Sequence, residues 1–237
     1  MSDLPKIEYP IHTIEIPSLK KKVKFRPFLV KEEKLLLMAK ESAVEADVLG
    51  AIKQIINNCS LDQTLNINKM TIFDLEFIFL RLRSISVDNK VKVSYKDSED
   101  QKVYDFEINL DDVKVEFPEK MDNNIKITAT SGLTMKYPSA SLYDDKEFLG
   151  IEKDYLFELI VRCIDTIYSE DNVYPAKDYK KQDLSEFLEN LDIKTFQQIQ
   201  DFLVNSPKMV YKINYKNSMD HDREIVLNSL NDFFTWR

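Results

Sequence analysis

The period of the hydrophobic pattern changes along the chain and limits the folds open to this sequence. From Lys31 to Ile85 apolar residues recur three or four positions apart, as on the buried face of helices. From Lys90 to Tyr137 they alternate with polar residues, as in antiparallel strands. Helical spacing returns at about residue 153. This order predicts an α+β fold: two helical groups packed together, a projecting small antiparallel β-subdomain and a C-terminal β-hairpin.

Individual elements carry signals for their starts and ends. The alternation in residues 12–28 predicts a first hairpin, and a helix should begin soon after Pro27. Thr71, followed by Asp74, is placed to cap a later helix. Further helices are predicted at about residues 47–58, 153–168, 184–188, 195–204 and 227–237, and a loop at 169–181.

These elements predict three segments of sequence. Residues 1–89 form an N-terminal hairpin plus a helical region. Residues 90–138 form the antiparallel β-subdomain, which Pro138 ends. Residues 139–237 form a C-terminal helical region with a second β-hairpin and an aromatic tail.

A short phrase occurs twice, as YKDS at residues 95–98 and as YKNS at residues 215–218. Each copy closes a strand-like run and is followed by a polar loop and a second strand-like run, which predicts two similar hairpins. No cysteine lies at either loop, so the pattern does not indicate a zinc ribbon. From the sequence alone, contact between the two hairpins is an open question.

Composition argues against several classes of protein. The net charge of −8 and the pI near 5.0 do not favour a nucleic-acid binder that acts through a basic face. No apolar run approaches the ~20 residues that a membrane-spanning helix needs, and the first residues lack the pattern of a signal peptide. With only three glycines, the chain cannot build a glycine-rich phosphate loop.

Residues suited to catalysis or metal binding are few. Cys59 and Cys163 lie in apolar helical patterns, which predicts reduced core residues. His221 stands between two aspartates, but adjacent side chains on an extended chain point to opposite sides, which favours a solvated turn. The acidic residues of the first loop, 97–100, are likewise predicted to be solvated. We therefore predict no catalytic residue, no cofactor and no metal, and we do not expect an enzyme.

The C-terminal aromatic residues are the candidate partner-binding residues: Phe233, Phe234 and Trp236. Two roles are open to them. They pack on their own helices, or they fill a groove on a partner, since aromatic anchors dominate interfaces. The spacing of Leu227, Leu230 and Phe233 favours a buried stripe, which leaves Trp236 as the better candidate for a partner contact.

Several separated stretches together resemble one known family. They are KFRPFLVKEEKLLLMA (24–39), AIKQIINNC (51–59), FLRLRSISV (79–87), NIKI (124–127), MKYP (135–138), CIDTIY (163–168) and LNDFF (230–234). In this order they resemble the baseplate hub proteins of T-even-type, contractile-tailed bacteriophages. The resemblance covers nearly the whole chain.

The resemblance implies a late viral protein of the tail baseplate, made in the host bacterial cytoplasm. It implies protein–protein contacts with other hub or tail proteins, allows a homo-oligomer and implies no catalysis. An assembly chaperone of the hub that leaves the virion is the alternative, and an uncharacterised enzyme is a distant one. Some relatives resemble zinc binders, with cysteine pairs at the two hairpins, but the phrases at 95–98 and 215–218 here have none.

Overall fold

The computed structural model describes residues 7–42, 44–119, 122–151 and 153–233. The chain forms two compact units. Unit 1 combines the residues up to Glu116 with those from Lys208 onward, and unit 2 is Phe117–Pro207. These units are defined by contacts in space. The three predicted segments are defined by the order of element types along the chain, and the division into these segments stays a prediction.

The first part of unit 1 contains two hairpins, three helices and a short strand. They are β1 (His12–Ile16), β2 (Lys21–Phe25), α1 (Val30–Glu41), α2 (Glu45–Cys59), α3 (Ile72–Ser86), β3 (Lys90–Lys96), β4 (Val103–Asn109) and β5 (Lys114–Glu116). The predicted first hairpin and the three helices are confirmed.

Unit 2 contains a sheet of four strands and its helices. In chain order they are β6 (Asn124–Lys126), β7 (Ser131–Met135), α4 (Lys146–Leu149), α5 (Tyr155–Cys163), β8 (Ile164–Ser169), β9 (Asn172–Pro175), α6 (Lys181–Glu189) and α7 (Ile193–Val204). The sheet has the order β6-β7-β8-β9. The last two helices agree with the predictions at 184–188 and 195–204.

The chain then returns to unit 1 with β10 (Lys208–Lys216), β11 (Asp222–Leu227) and the short helix α8 (Leu230–Phe233). Strands β10 and β11 form the predicted C-terminal hairpin, and β10 also pairs with β5, with Lys208 opposite Glu116. The α+β class is confirmed.

Side chains at the helix starts explain where these elements begin. The Thr71 hydroxyl accepts the Asp74 backbone N–H at 3.3 Å, which confirms the predicted cap of α3. The Asp74 carboxylate also accepts the backbone N–H of Ser18 at 2.9 Å and so ties the first hairpin to α3. At α1, the buried Glu32 carboxylate accepts the Leu29 backbone N–H at 2.9 Å and pairs with Arg26 at 3.0 Å.

The predicted helix over 153–168 is wrong in its second half. Helix α5 ends at Cys163, and Ile164–Ser169 is strand β8, paired with β7. Ile164, Thr166 and Ile167 are β-branched, so they fit a sheet better than a helix. The predicted loop at 169–181 likewise contains strand β9 and the start of α6.

The strands between residues 90 and 137 do not share one sheet. β3 pairs with β4, β5 pairs with β10, and β6 and β7 join β8 and β9. The strands predicted in this range are therefore distributed over three sheets. At the C-terminus, Leu227 ends strand β11 and does not begin the last helix.

Candidate functional site at the joined hairpin tips

The repeated phrase lies at the loops of two hairpins in unit 1. Hairpin 1 is β3 and β4, with a loop at residues 97–102 that we call tip 1. Hairpin 2 is β10 and β11, with a loop at residues 217–221 that we call tip 2. The two predicted hairpins are confirmed, and their tips contact each other.

Each tip is built around the third residue of its phrase. In tip 1, the Asp97 carboxylate accepts the backbone N–H groups of Glu99 at 2.7 Å and Asp100 at 3.4 Å. In tip 2, the Asn217 side-chain oxygen accepts those of Met219 and His221, both at 3.0 Å. An Asp or Asn that bonds backbone N–H groups a few residues on fixes a tight turn, which explains why this position repeats.

We call the contact between tip 1 and tip 2, together with the strand residues beside it, the joint. Asp97 is its most deeply buried acidic residue. Its carboxylate accepts hydrogen bonds from the Tyr215 hydroxyl and, at 3.1 Å, from Arg223 Nε. Its residue is 0% exposed, so the prediction that this loop is solvated is wrong at Asp97. A buried carboxylate is stable only when it is paired and hydrogen-bonded, and here both kinds of partner come from hairpin 2.

Two further carboxylates of tip 1 reach tip 2. Glu99 accepts hydrogen bonds from Asn217 Nδ2 at 2.6 Å and His221 Nδ1 at 2.8 Å. Asp100 accepts from the Ser218 backbone N–H at 2.9 Å and from its hydroxyl at 2.8 Å. Asp220 and Asp222, which flank His221 in the sequence, do not take part in these hydrogen bonds. His221 instead contacts Glu99 of the other hairpin.

Aromatic rings extend the joint below the loops. The Tyr215 ring lies 5.0 Å from the Tyr104 ring and 5.2 Å from the Phe106 ring, measured between centroids, in tilted and edge-on arrangements. Such pairs add to the stabilisation that comes from burying their area. The joined tips therefore combine a polar network with an aromatic contact.

Hydrogen bonding at the joint, both between the hairpins and within hairpin 1, shifts the pKa values of its groups. The hydrogen bond from Tyr215 lowers the pKa of Asp97, that from His221 lowers the pKa of Glu99, and that from Tyr104 lowers the pKa of Asp100. Burial, together with the bond to Asp97, raises the pKa of Tyr215 to about 12. The joint is thus built for charged carboxylates at neutral pH.

Acid is expected to open the joint. Because the folded-state pKa values of Asp97, Glu99 and Asp100 are depressed, their stabilisation is present above the unfolded-state values, about 3.9 for Asp and 4.3 for Glu. It is lost as the pH falls below about 4 and through the folded-state values. Thermal midpoints measured across acidic pH should show this loss, and Asp100→Asn should flatten the profile. An unchanged profile, matching that of Asp105→Asn on an exposed site of the same hairpin, would contradict the prediction.

The C-terminal candidates divide between described and undescribed residues. Phe233 is 0% exposed, and Leu227 and Leu230 are buried with it in unit 1. Phe234 and Trp236 lie outside the described residues. A partner contact through them stays a prediction.

Both cysteines are buried, as predicted, and neither forms a disulfide. Burial raises the pKa of Cys59 to about 11 and that of Cys163 to about 12, so little reactive thiolate forms at neutral pH. Within the described residues, no three His, Cys, Asp or Glu side chains are grouped to hold a metal ion. In the same part of the chain, no helix has the length and apolarity to cross a membrane.

Sequence comparison adds a relationship that covers almost the whole chain. The model of the family described as T4 bacteriophage base plate protein matches residues 9–235. That range includes both hairpins, all of unit 2 and nearly all of unit 1. No curated protein and no solved structure matches the chain.

Proposed function

Because this chain belongs to the family of T4 bacteriophage base plate proteins, we propose that within the baseplate it is a component of the central hub. The family places it in the virion tail baseplate among other tail proteins. The match over residues 9–235 carries the baseplate part of the proposal, and the resemblance of the separated sequence stretches to baseplate hub proteins supports the hub part. Its synthesis as a late protein in the host cytoplasm belongs to the same proposal.

Assembly through protein–protein contacts is the proposed mode of action. Helix α1 exposes three apolar side chains to solvent: Val30 is 71% exposed, Leu37 51% and Met38 69%, and Val30 and Leu37, seven residues apart, lie on the same side of the helix. Grouped exposed apolar residues mark interaction surfaces, and Met adapts its shape to different partners. These residues therefore support contact with hub or tail proteins, or with a second copy.

We propose no catalysis, because the groups that chemistry would need serve the fold. The two thiols are buried with raised pKa values. Carboxylates of tip 1 accept hydrogen bonds from hairpin 2, and the imidazole of His221 in tip 2 is hydrogen-bonded to Glu99 of tip 1. No nucleic acid is proposed as a partner, since the chain carries a net charge of −8.

The alternative role is an assembly chaperone that holds hub components and then leaves. A phage in which this gene carries a nonsense mutation separates these possibilities. For a hub component we expect tails without complete baseplates in the mutant lysate, and quantitative mass spectrometry of wild-type virions should find the chain in fixed proportion to other baseplate proteins. A plasmid copy of the gene should restore infectivity.

Absence of the chain from purified virions, together with defective tails in the mutant, would favour the chaperone. Normal, infectious tails made without the chain would contradict both roles. Cross-linking of intact virions gives the finer test, because a hub component should link to proteins on the tail axis rather than to the baseplate periphery.

A further inference from the structure

A polar groove of about 640 Å³ lies in unit 1, between helix α2 and the segment that leads from α2 to α3. We call it the amide groove, because its lining includes the amide side chains of Gln54, Asn57, Gln63, Asn66 and Asn68. All five residues are exposed, and within the described part of the chain none of these amides forms a side-chain hydrogen bond. Ligand-binding clefts commonly enclose about 300–1,000 Å³, so the groove is large enough for a bound segment.

The wall of the groove formed by residues 63–68 is held in place by the rest of unit 1. Ile67 is buried and anchors the middle of this wall. At its start, the Asp62 carboxylate accepts the backbone N–H of Thr64 at 2.9 Å and pairs with Lys21 of β2 at 2.6 Å. A groove whose walls are already fixed loses little conformational entropy when it binds.

Gly50 leaves a stretch of helix backbone uncovered in the groove. It lies inside the 15-residue helix α2, where glycine is less stable than alanine. It is exposed, and a Cβ atom at this position would meet nothing within 4 Å, so packing among the described residues does not require a glycine. A glycine at such a position lets another backbone approach closely.

We propose that the amide groove binds an extended segment of another baseplate protein through the backbone of that segment. An amide side chain offers a carbonyl acceptor and N–H donors, the same kinds of group that a peptide bond presents. In the recognition of extended peptides, hydrogen bonds to the main chain supply affinity. Gly50 provides room for the approach, and Leu65 in the lining provides an apolar contact for a side chain of the segment.

The charge of the lining favours an uncharged peptide segment over a nucleic acid. Among the described residues of the lining, Lys53 alone is charged, and it is only 9% exposed. A nucleic acid would need several exposed cations. The part of the segment that lies in the groove should therefore carry small or polar side chains without charge. This inference rests on the proposed assembly through protein contacts, but not on the hub role, because an assembly chaperone also contacts baseplate proteins.

Site-specific photo-crosslinking in cells infected with the nonsense-mutant phage tests the proposal. The photoreactive amino acid p-benzoylphenylalanine at Gln54 should give an adduct to one other baseplate protein, and mass spectrometry should map the link to one short segment of it. The matched control is Gln197, an exposed amide residue on α7 outside the groove lining. Its adduct yield with the same protein should be several-fold lower.

Gly50→Leu should separate binding from folding. Leucine suits a helix better than glycine, and its side chain enters open space, so the melting temperature should stay the same or rise. The side chain also obstructs the groove, so co-purification of the partner identified through Gln54 should fall several-fold. Gln197→Leu should leave co-purification unchanged. Circular dichroism checks that Gly50→Leu is folded, and Gly50→Ala is the milder variant if it is not.

The same photoreactive label at Met38, an exposed residue of α1, separates failure of this inference from failure of the proposed function. Adducts to baseplate proteins from Met38 but not from Gln54 would overturn the inference alone. No such adduct from either position would count against both. An adduct from Gln54 within the chain or to a second copy would overturn the inference, as would unchanged co-purification by a folded Gly50→Leu protein.

Discussion

Phe233→Ala is expected to lower the free energy of unfolding by about 3–5 kcal/mol, the usual range for truncating a large aromatic ring in a core. Phe233 is 0% exposed and is buried along with Leu227 and Leu230, so truncation leaves a cavity that unit 1 cannot easily fill. Since typical domains are stable by only ~5–15 kcal/mol, the melting temperature should fall by many degrees. Denaturant or thermal unfolding of the purified protein measures the change.

Val226→Ala is the matched control for this truncation. Val226 precedes Leu227 on β11 but is 43% exposed, and a substitution at an exposed position should change the free energy of unfolding by no more than about 0.5 kcal/mol. If Phe233→Ala left the melting temperature unchanged and yet prevented assembly, the ring would be a partner contact. That result would contradict its burial in unit 1.

Asp97→Ala is expected to separate the two hairpin tips. The substitution removes the acceptor of the part-buried Tyr215 hydroxyl and the nearest carboxylate of Arg223, which then keeps only its contacts with Ser98 and Glu99. Because Asp97 also fixes its own turn, tip 1 should loosen, and tip 2 should loosen with it. Hydrogen exchange followed by mass spectrometry should show faster amide exchange in residues 97–102 and 217–221, with a lower melting temperature.

Asp105→Ala serves as the control for that experiment. Asp105 is an exposed carboxylate of the same hairpin that accepts a hydrogen bond from Ser94, its cross-strand neighbour. Its removal should leave exchange in both tips unchanged. If Asp97→Ala increased exchange only in tip 1, the effect would be local to its turn, and the coupling between hairpins would be refuted.

The sequence predicts local structure well and pairing between distant strands poorly. The periodicity predicts α1, α2 and α3, and the Thr71 cap is present where the sequence indicates it. It does not reveal that β5 pairs with β10, because an edge strand of three residues carries no mark of its distant partner. Residues 164–168 were wrongly predicted as helix because their apolar residues fit a helical face as well as a strand. Only the pairing with β7 shows that they form a strand.

The repeated phrase is visible in the sequence, but the sequence does not show that the two tips contact each other. Asp97 and Asn217 occupy matching positions because each fixes a turn, and that much follows from residue type. Their contact does not, since Tyr215 and Asp97 are 118 residues apart and meet only through the fold. Acidic loop residues are usually solvated, so burial of Asp97 depends on partners that no local pattern shows.

The division of unit 1 into two stretches of chain sets the order in which the protein is completed on the ribosome. Residues 117–207 are made after hairpin 1 and before hairpin 2. At ~5–20 residues per second, synthesis from Glu116 to Lys208 takes roughly 5–20 s. Throughout this time β5 lacks its partner strand, and Asp97 lacks Tyr215 and Arg223. Unit 2 has all of its residues before unit 1 does, so the unit that is begun first is the last to be finished.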